Sequence, residues 1–191
     1  MKIHHKVLRL LCLFLLVLLL SSCLGSVWTA ASLVYDRHHV YKKWNDIQLA
    51  TRARHVLHLH HELGEAGCKI KVATFNGDLL LLGRAPSAKL RADIQQFMVQ
   101  MGGYRRFFNQ IEIRTTQENE LQDSLMTLNL RKDIMTDADI DPNVFKIVTS
   151  NQVVYLMGDV LANQGARVIR LAQMGYGVKR VVNLMRYYRL E

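Results

Sequence analysis

The chain has 191 residues, half of them hydrophobic, and carries 25 basic against 16 acidic side chains for a formal charge of +9. That length fits one ordinary domain or two small ones, and the apolar share excludes wholesale disorder. The positive excess favours anionic surfaces without choosing among them.

The first element is a leader. Lys2, Lys6 and Arg9 precede an uninterrupted apolar run over residues 10–20, closed by Ser21, Ser22 and Cys23. The run has 11 residues, whereas a helix that crosses the hydrocarbon needs about 20. A basic start, a short apolar stretch and small residues at its end are the parts of a secretory signal, expected over residues 1–22. Leu20-Ser21-Ser22-Cys23 resembles the bacterial lipobox, which implies a diacylglycerol thioether on Cys23 and a third acyl chain on its new amino group. Two membrane signals already make attachment stable, so three chains make it effectively permanent. Leu24 stands where many inner-membrane lipoproteins carry a retaining aspartate. The expected location is therefore the outer membrane, lipid-anchored and facing the periplasm. Cys12 leaves with the leader, Cys23 is acylated, and Cys68 has no intramolecular partner, so packing must hold the fold. Without residues 1–22 the chain keeps 22 basic against 16 acidic side chains. Nucleic acid is a poor partner for an exported protein; anionic phospholipid head groups and acidic glycans are the polyanions within reach.

The rest of the chain reads as a duplication. "KVATFNGDLLLLG" at 71–83 aligns with "KIVTSNQVVYLMG" at 146–158, and "GYRRFFN" at 103–109 aligns with "GVKRVVN" at 177–183. The offsets are 75 and 74, so one residue is lost between the blocks. In the first copy a helix is expected over 46–62, with apolar Leu49, Ala53, Val56 and Leu57 at helical spacing. Two strands follow, 69–75 and 78–83, divided by Asn76-Gly77, a pair suited to a type I′ turn. Helical spacing returns over 87–101 through Leu90, Ile94, Phe97 and Met101, and Gly102-Gly103 ends it. Alternation of Phe107, Asn109, Ile111 and Ile113 predicts a closing strand over 107–114.

The order helix-strand-strand-helix-strand dictates the class. A two-residue turn makes the hairpin antiparallel, while the helical crossover brings the last strand back parallel. Each copy is thus an α+β unit with two helices on one face of a three-stranded mixed sheet. The expected division is signal 1–22, lipidated linker 23–45, first domain 46–115, linker 116–120 and second domain 121–190.

"VATFNGDLLLLG", a second helix and "GGYRRFFNQIEI", each given twice, resemble the BON domain (bacterial osmotically inducible and nodulation). Two such domains behind a lipobox are similar to the dual-BON outer-membrane lipoproteins. That subgroup carries an Asp-Arg-Arg element followed by paired aspartates; within "VYDRHHVYKKWND" Asp36, Arg37 and Asp46 fit, while His38 and Asn45 depart.

Enzyme chemistry finds little support in the sequence. His55, His58, His61 and Glu62 share one expected helix at spacings that could hold zinc or copper, yet no partner cysteines exist and H-E-x-x-H is absent. Asp137, Asp139 and Asp141 alternate but lack the glycine and glutamate of an EF-hand loop. Ser87 and Ser124 sit in no nucleophile motif. No catalytic residue, no cofactor and no metal site are expected.

The stretch that stands out is the second domain's first helix, 121–135. Met126, Leu130 and Ile134 form the stripe that faces its own sheet, by alignment with Ala53 and Leu57. Leu121, Leu125, Leu128 and Met135 form a second stripe on roughly the opposite side, with Lys132 within it and Arg131 at its edge. Two destinations are open to that stripe: packing on the first domain, or insertion at an anionic membrane surface. The resemblance implies the latter, with phosphatidylglycerol and cardiolipin as ligands. In it Arg131 matches an arginine, and Leu125 falls where a relative has tryptophan. The rivals are a protein-interaction module docking an outer-membrane assembly machine, and a periplasmic metal-binding protein using His55, His58 and His61. Oligomeric state and domain orientation stay open.

Overall fold

A computed structural model of the chain describes residues 37–117 and 119–189, so the leader and Cys23 lie outside the described residues. The expected element order occurs twice. The first copy comprises α1 (Arg37–Leu59), the single turn α2 (Glu62–Glu65), β1 (Lys69–Phe75), β2 (Asp78–Ala85), α3 (Ala88–Met101), β3 (Arg106–Asn109) and β4 (Glu112–Ile113). The second comprises α4 (Glu120–Thr136), a 3₁₀ turn (Pro142–Val144), β5 (Phe145–Ser150), β6 (Val153–Leu161), α5 (Ala162–Met174), β7 (Arg180–Asn183) and β8 (Arg186–Tyr188).

Both hairpins are antiparallel, Lys69 pairing with Arg84 and Phe145 with Gly158, and both crossovers return parallel to the long middle strand. Each turn is held by a carboxylate from the preceding helix. Asp46 accepts hydrogen bonds from the amides of Asn76 and Gly77, and Asp123 from those of Asn151 and Gln152, all at 2.8 Å. The turn needs two residues with positive φ; Asn76 and Gly77 lie at 49° and 79°, Asn151 and Gln152 at 53° and 63°. The glutamine therefore occupies a left-handed position that glycine adopts without a Cβ clash. Gly83 is fixed for a different reason: a Cβ there would stand 2.0 Å from the Lys69 carbonyl oxygen across the hairpin.

Three details differ from the sequence expectation. Helix α1 starts at Arg37, ahead of residue 46, and stops at Leu59, so His61 and Glu62 lie past its end. The closing strand is broken into β3 and β4, both parallel to β2. At the break Asn109 turns its side chain back to accept from the Ile111 amide at 3.2 Å, and Asn183 does the same for Met185 at 3.0 Å. This local kink spoils simple alternation, but it drives Ile111 and Met185 into their cores.

Each sheet carries its own two helices on one face. Leu49 and Ala53 of α1 and Ile94 and Met98 of α3 pack on Leu79 and Leu81 of β2. Leu130 and Ile134 of α4 and Val168 and Ala172 of α5 pack on Val154 and Leu156 of β6. Burial of such a side chain contributes about 2 kcal/mol, and Leu130→Ala would cost about 3 kcal/mol once the cavity is included. The remaining faces meet each other. Leu80 and Leu82 of β2 form one cluster with Val153, Tyr155 and Met157 of β6, joined by Ala73 and Leu184. Residues 42–189 form a four-layer stack, helices-sheet-sheet-helices, with both middle strands buried on both sides.

Polar bridges rim this junction. Arg105 donates to the fully buried Asp78 at 2.8 Å and to Asp159 of the second domain at 3.0 Å. Asp159 also accepts from Asn76 and Arg186, Arg106 reaches the Leu184 carbonyl, and Asn151 donates to Glu112. Burial pushes the Asp159 carboxyl up, but its hydrogen bonds from Arg105 and Asn76 outweigh that and hold it below the ordinary value of 3.8.

Two predictions test these devices. Gln152→Gly should raise stability to urea by about 1 kcal/mol, because it removes a left-handed Cβ while the Asp123 clamp on the amide persists. Asp159→Asn should cost about 2 kcal/mol at neutral pH, through lost charge-assisted hydrogen bonds. Its folded pKa lies below the unfolded one, so the Asp159 contribution is complete above the unfolded value and fades as pH falls through the folded value. The gap between parent and variant should therefore close on acidification in pH-resolved denaturation curves.

Candidate functional site

Helix α4 begins where Asn119 accepts a hydrogen bond from the Gln122 amide, with Glu120 and Asp123 in the first turn, where the positive end of the helix dipole favours carboxylates. Its inner face is complete: Met126, Leu130 and Ile134 are buried. The opposite face is open. Leu121, Leu125, Leu128 and Met135 retain 71, 51, 63 and 72% of their surface, and Arg131 and Lys132 are exposed beside them. With both sheet faces occupied, the first domain's sheet is not available to cover this stripe.

The duplication provides an internal control. Asp46 and Asp123 perform the same task 77 residues apart, as do the buried Ala53 and Leu130. At that offset Leu121, Leu125, Leu128, Lys132 and Met135 correspond to Trp44, Gln48, Thr51, His55 and His58 of α1. The first domain therefore folds with mostly polar side chains where the second presents leucine and methionine. The apolar stripe is surplus to folding, and an exposed apolar patch of this kind marks an interaction surface.

The expected contact residues do not lie on one flat strip. Leu128 and Arg131 lean toward a groove shared with β1 and β5. Lys132 borders a hollow on the other flank with Met174 and Tyr176. Met174 and Tyr176, both strongly exposed, extend the apolar surface beyond α4. Sequence reading passed over them, although "MGYG" places an aromatic at the end of a helix that has just run out of core positions. Arg54 and Lys146, which share the groove with Arg131, were also overlooked; only the fold brings them together from distant parts of the chain.

Other candidate groups have structural work. Because α1 ends at Leu59, His55 and His58 are not joined by His61 on one helix face; His60 stacks on Phe97 at 3.6 Å and hydrogen-bonds Glu62 at 2.9 Å. Among the described residues no three His, Cys, Asp or Glu side chains converge on a metal-sized site. Asp137 and Asp139 pair with Arg167, and Asp141 caps the 3₁₀ turn. Ser87 caps α3, and Ser124 bonds back to the Glu120 carbonyl. Cys68 is a free thiol, half-buried, and burial pushes its pKa up, which suits packing better than nucleophilic chemistry. Among the described residues no helix is long and apolar enough to cross a membrane.

Residues 122–188, the second copy, match the BON domain family. The outer membrane lipoprotein DolP of Haemophilus influenzae is 20% identical over 169 residues, covering 87% of either chain. A 21 kDa hemolysin of Actinobacillus pleuropneumoniae is 24% identical over 123 residues, covering 62% of either chain. Two solved structures of CdsD, a structural protein of the Type III secretion system of Chlamydia trachomatis, superpose at a TM-score of 0.31 with 10 and 12% identity. They cover 69 and 75% of this chain and 98 and 94% of their own. That superposition is too loose to bear on fold or function.

If the outer stripe is surplus to folding, giving α4 the residues of α1 should leave the protein intact. Leu125→Gln with Leu128→Thr should shift unfolding free energy by no more than about 0.5 kcal/mol, as for ordinary surface exchanges. A loss of about 2 kcal/mol or more in urea titration would mean the stripe is covered.

Proposed function

We propose that the chain is an outer-membrane lipoprotein of the BON-domain kind, a non-enzymatic binding protein that is anchored through acylated Cys23 and docks on anionic phospholipid through the outer face of α4. The observation that carries this reading is the exposure of Leu121, Leu125, Leu128 and Met135 beside Arg131 and Lys132 on a helix whose inner face is already buried. Apolar side chains entering the acyl boundary gain about 25 cal/mol per Å² removed from water. Cations near an anionic surface add about 1 kcal/mol each. Neither term is large alone. A lipid anchor makes the second contact nearly intramolecular, so a weak patch suffices to hold the body against the membrane. Phosphatidylglycerol and cardiolipin supply the negative head groups, and facing the periplasm the protein would support envelope integrity by gripping the membrane it is tethered to.

The test uses residues 37–191, which contain every described member of the three cores. Sedimentation with phosphatidylglycerol vesicles should exceed that with phosphatidylcholine vesicles by about tenfold and weaken with salt. Leu125→Asp with Leu128→Asp should abolish it while the unfolding midpoint stays put. Equal binding to both vesicles, or an unaffected variant, contradicts the reading. Should the same variant instead remove a stoichiometric protein crosslink in cells, the stripe docks a protein such as an outer-membrane assembly component.

A further inference from the structure

The duplication brings two equivalent pairs of cations around one groove. Arg54 and Lys71 come from α1 and β1, and Arg131 and Lys146 come from the matching positions of α4 and β5. β1 and β5 are the outer strands of their sheets, each hydrogen-bonded along one edge to its partner, and together they floor a groove of about 630 Å³ between the domains.

The acids nearby are already engaged. Glu120 binds Lys69 at 2.7 Å and lies 3.8 Å from Lys71. Both oxygens of Asp123 are taken by the turn amides of Asn151 and Gln152. Arg54 and Lys146 have no ion pair among the described residues, and Arg131 makes only a 3.4 Å contact to the Ile147 carbonyl. Burial, then repulsion from Arg131 and Arg54, holds the Lys146 ammonium below the ordinary lysine range; the attraction of Asp46 does not cancel them. A bound anion offsets the mutual repulsion of a half-buried lysine and two arginines that line one groove.

A second hollow of about 510 Å³ adjoins the groove, sharing Arg54, Lys71 and Val72, and continues along Leu57, Leu63 and Ile70. Charge at one end and aliphatic walls at the other match a molecule with an anionic head and a hydrocarbon tail. A phosphate ester suits four surrounding cations better than a single carboxylate, because its oxygens accept from several donors at once.

We propose that this groove binds a single anionic amphiphile, its phosphate head group between the Arg54–Lys71 and Arg131–Lys146 pairs and its chain along Leu57, Leu63 and Ile70. The site meets the surface proposed for membrane docking only at Leu128 and Arg131. One captures a lipid monomer; the other rests on a bilayer.

The test titrates residues 37–191 with monomeric lysophosphatidylglycerol below its micelle concentration. Glycerophosphoglycerol serves as the head group alone and lysophosphatidylcholine as a zwitterionic control. Lysophosphatidylglycerol should bind at least about tenfold more tightly than either, a difference of about 1.4 kcal/mol. Arg54→Glu and Lys146→Glu should each weaken it about tenfold or more, with Lys146→Gln as the milder change if charge reversal disturbs folding. Bound ligand should also slow maleimide reaction at Cys68, which lines the second hollow. Leu121→Asp with Leu125→Asp should remove vesicle binding and leave monomer binding unchanged, so the two sites fail independently. Equal affinity for the head group alone reduces the groove to a phosphate-ester site and overturns the amphiphile. Equal affinity for the zwitterionic lipid, indifference to Arg54 and Lys146, or no binding overturns the proposal outright.

Discussion

The contact between the two sheets governs everything outside it. Leu80, Leu82, Val153, Tyr155 and Met157 are buried against one another, and that burial turns two small two-layer units into one four-layer body. A three-stranded sheet covered on one side only would leave an apolar face in water and little core to stabilise it. Once the sheets close on each other, their helices are forced to the outside and no sheet face remains to cover a helix's outer surface. The openness of α4 is thus a consequence of architecture, and its apolar character is what the sequence adds.

Duplication followed by divergence explains how the addition was made without disturbing the fold. The positions that build each unit have kept their tasks: Asp46 and Asp123 clamp the turns, Asn109 and Asn183 kink the closing strand, and Ala53 and Leu130 fill the cores. The outer faces have parted. Gln48, Thr51 and His55 on α1 are ordinary solvated side chains, while Leu125, Leu128 and Lys132 on α4 make an amphiphilic surface. Where the copies kept the same cations, at Arg54 and Arg131 and at Lys71 and Lys146, packing the sheets together brought them around one groove.

Much of this was legible in the residues. Asn76-Gly77 located the first hairpin, helical spacing located α3 and α4, and the inner stripe of α4 was assigned to its own sheet, whereas the residues left two destinations open for the outer one. The sheet junction was legible too but went unread: "DLLLL" and "VVYLM" are continuous apolar runs, and a strand that is apolar at successive positions has both faces buried. Treating them as one-sided strands in a two-layer unit left the orientation of the domains open. The broken closing strand was hidden because Asn109 fits an alternating pattern while its side chain serves the backbone. Arg54 and Lys146 escaped notice because they are far apart in the chain and each looks like an isolated surface cation.

The proposed docking requires α4 to meet lipid while its counterpart α1 does not, although both are exposed helices of the same design. Nitroxide labels at position 125 on α4 and position 48 on α1 address this directly, through their accessibility to oxygen and to a water-soluble nickel chelate on phosphatidylglycerol vesicles. The label at 125 should shift from the aqueous reagent to oxygen when vesicles are added, while the label at 48 stays aqueous. Two labels that respond alike, or a label at 125 that never leaves water, would contradict it.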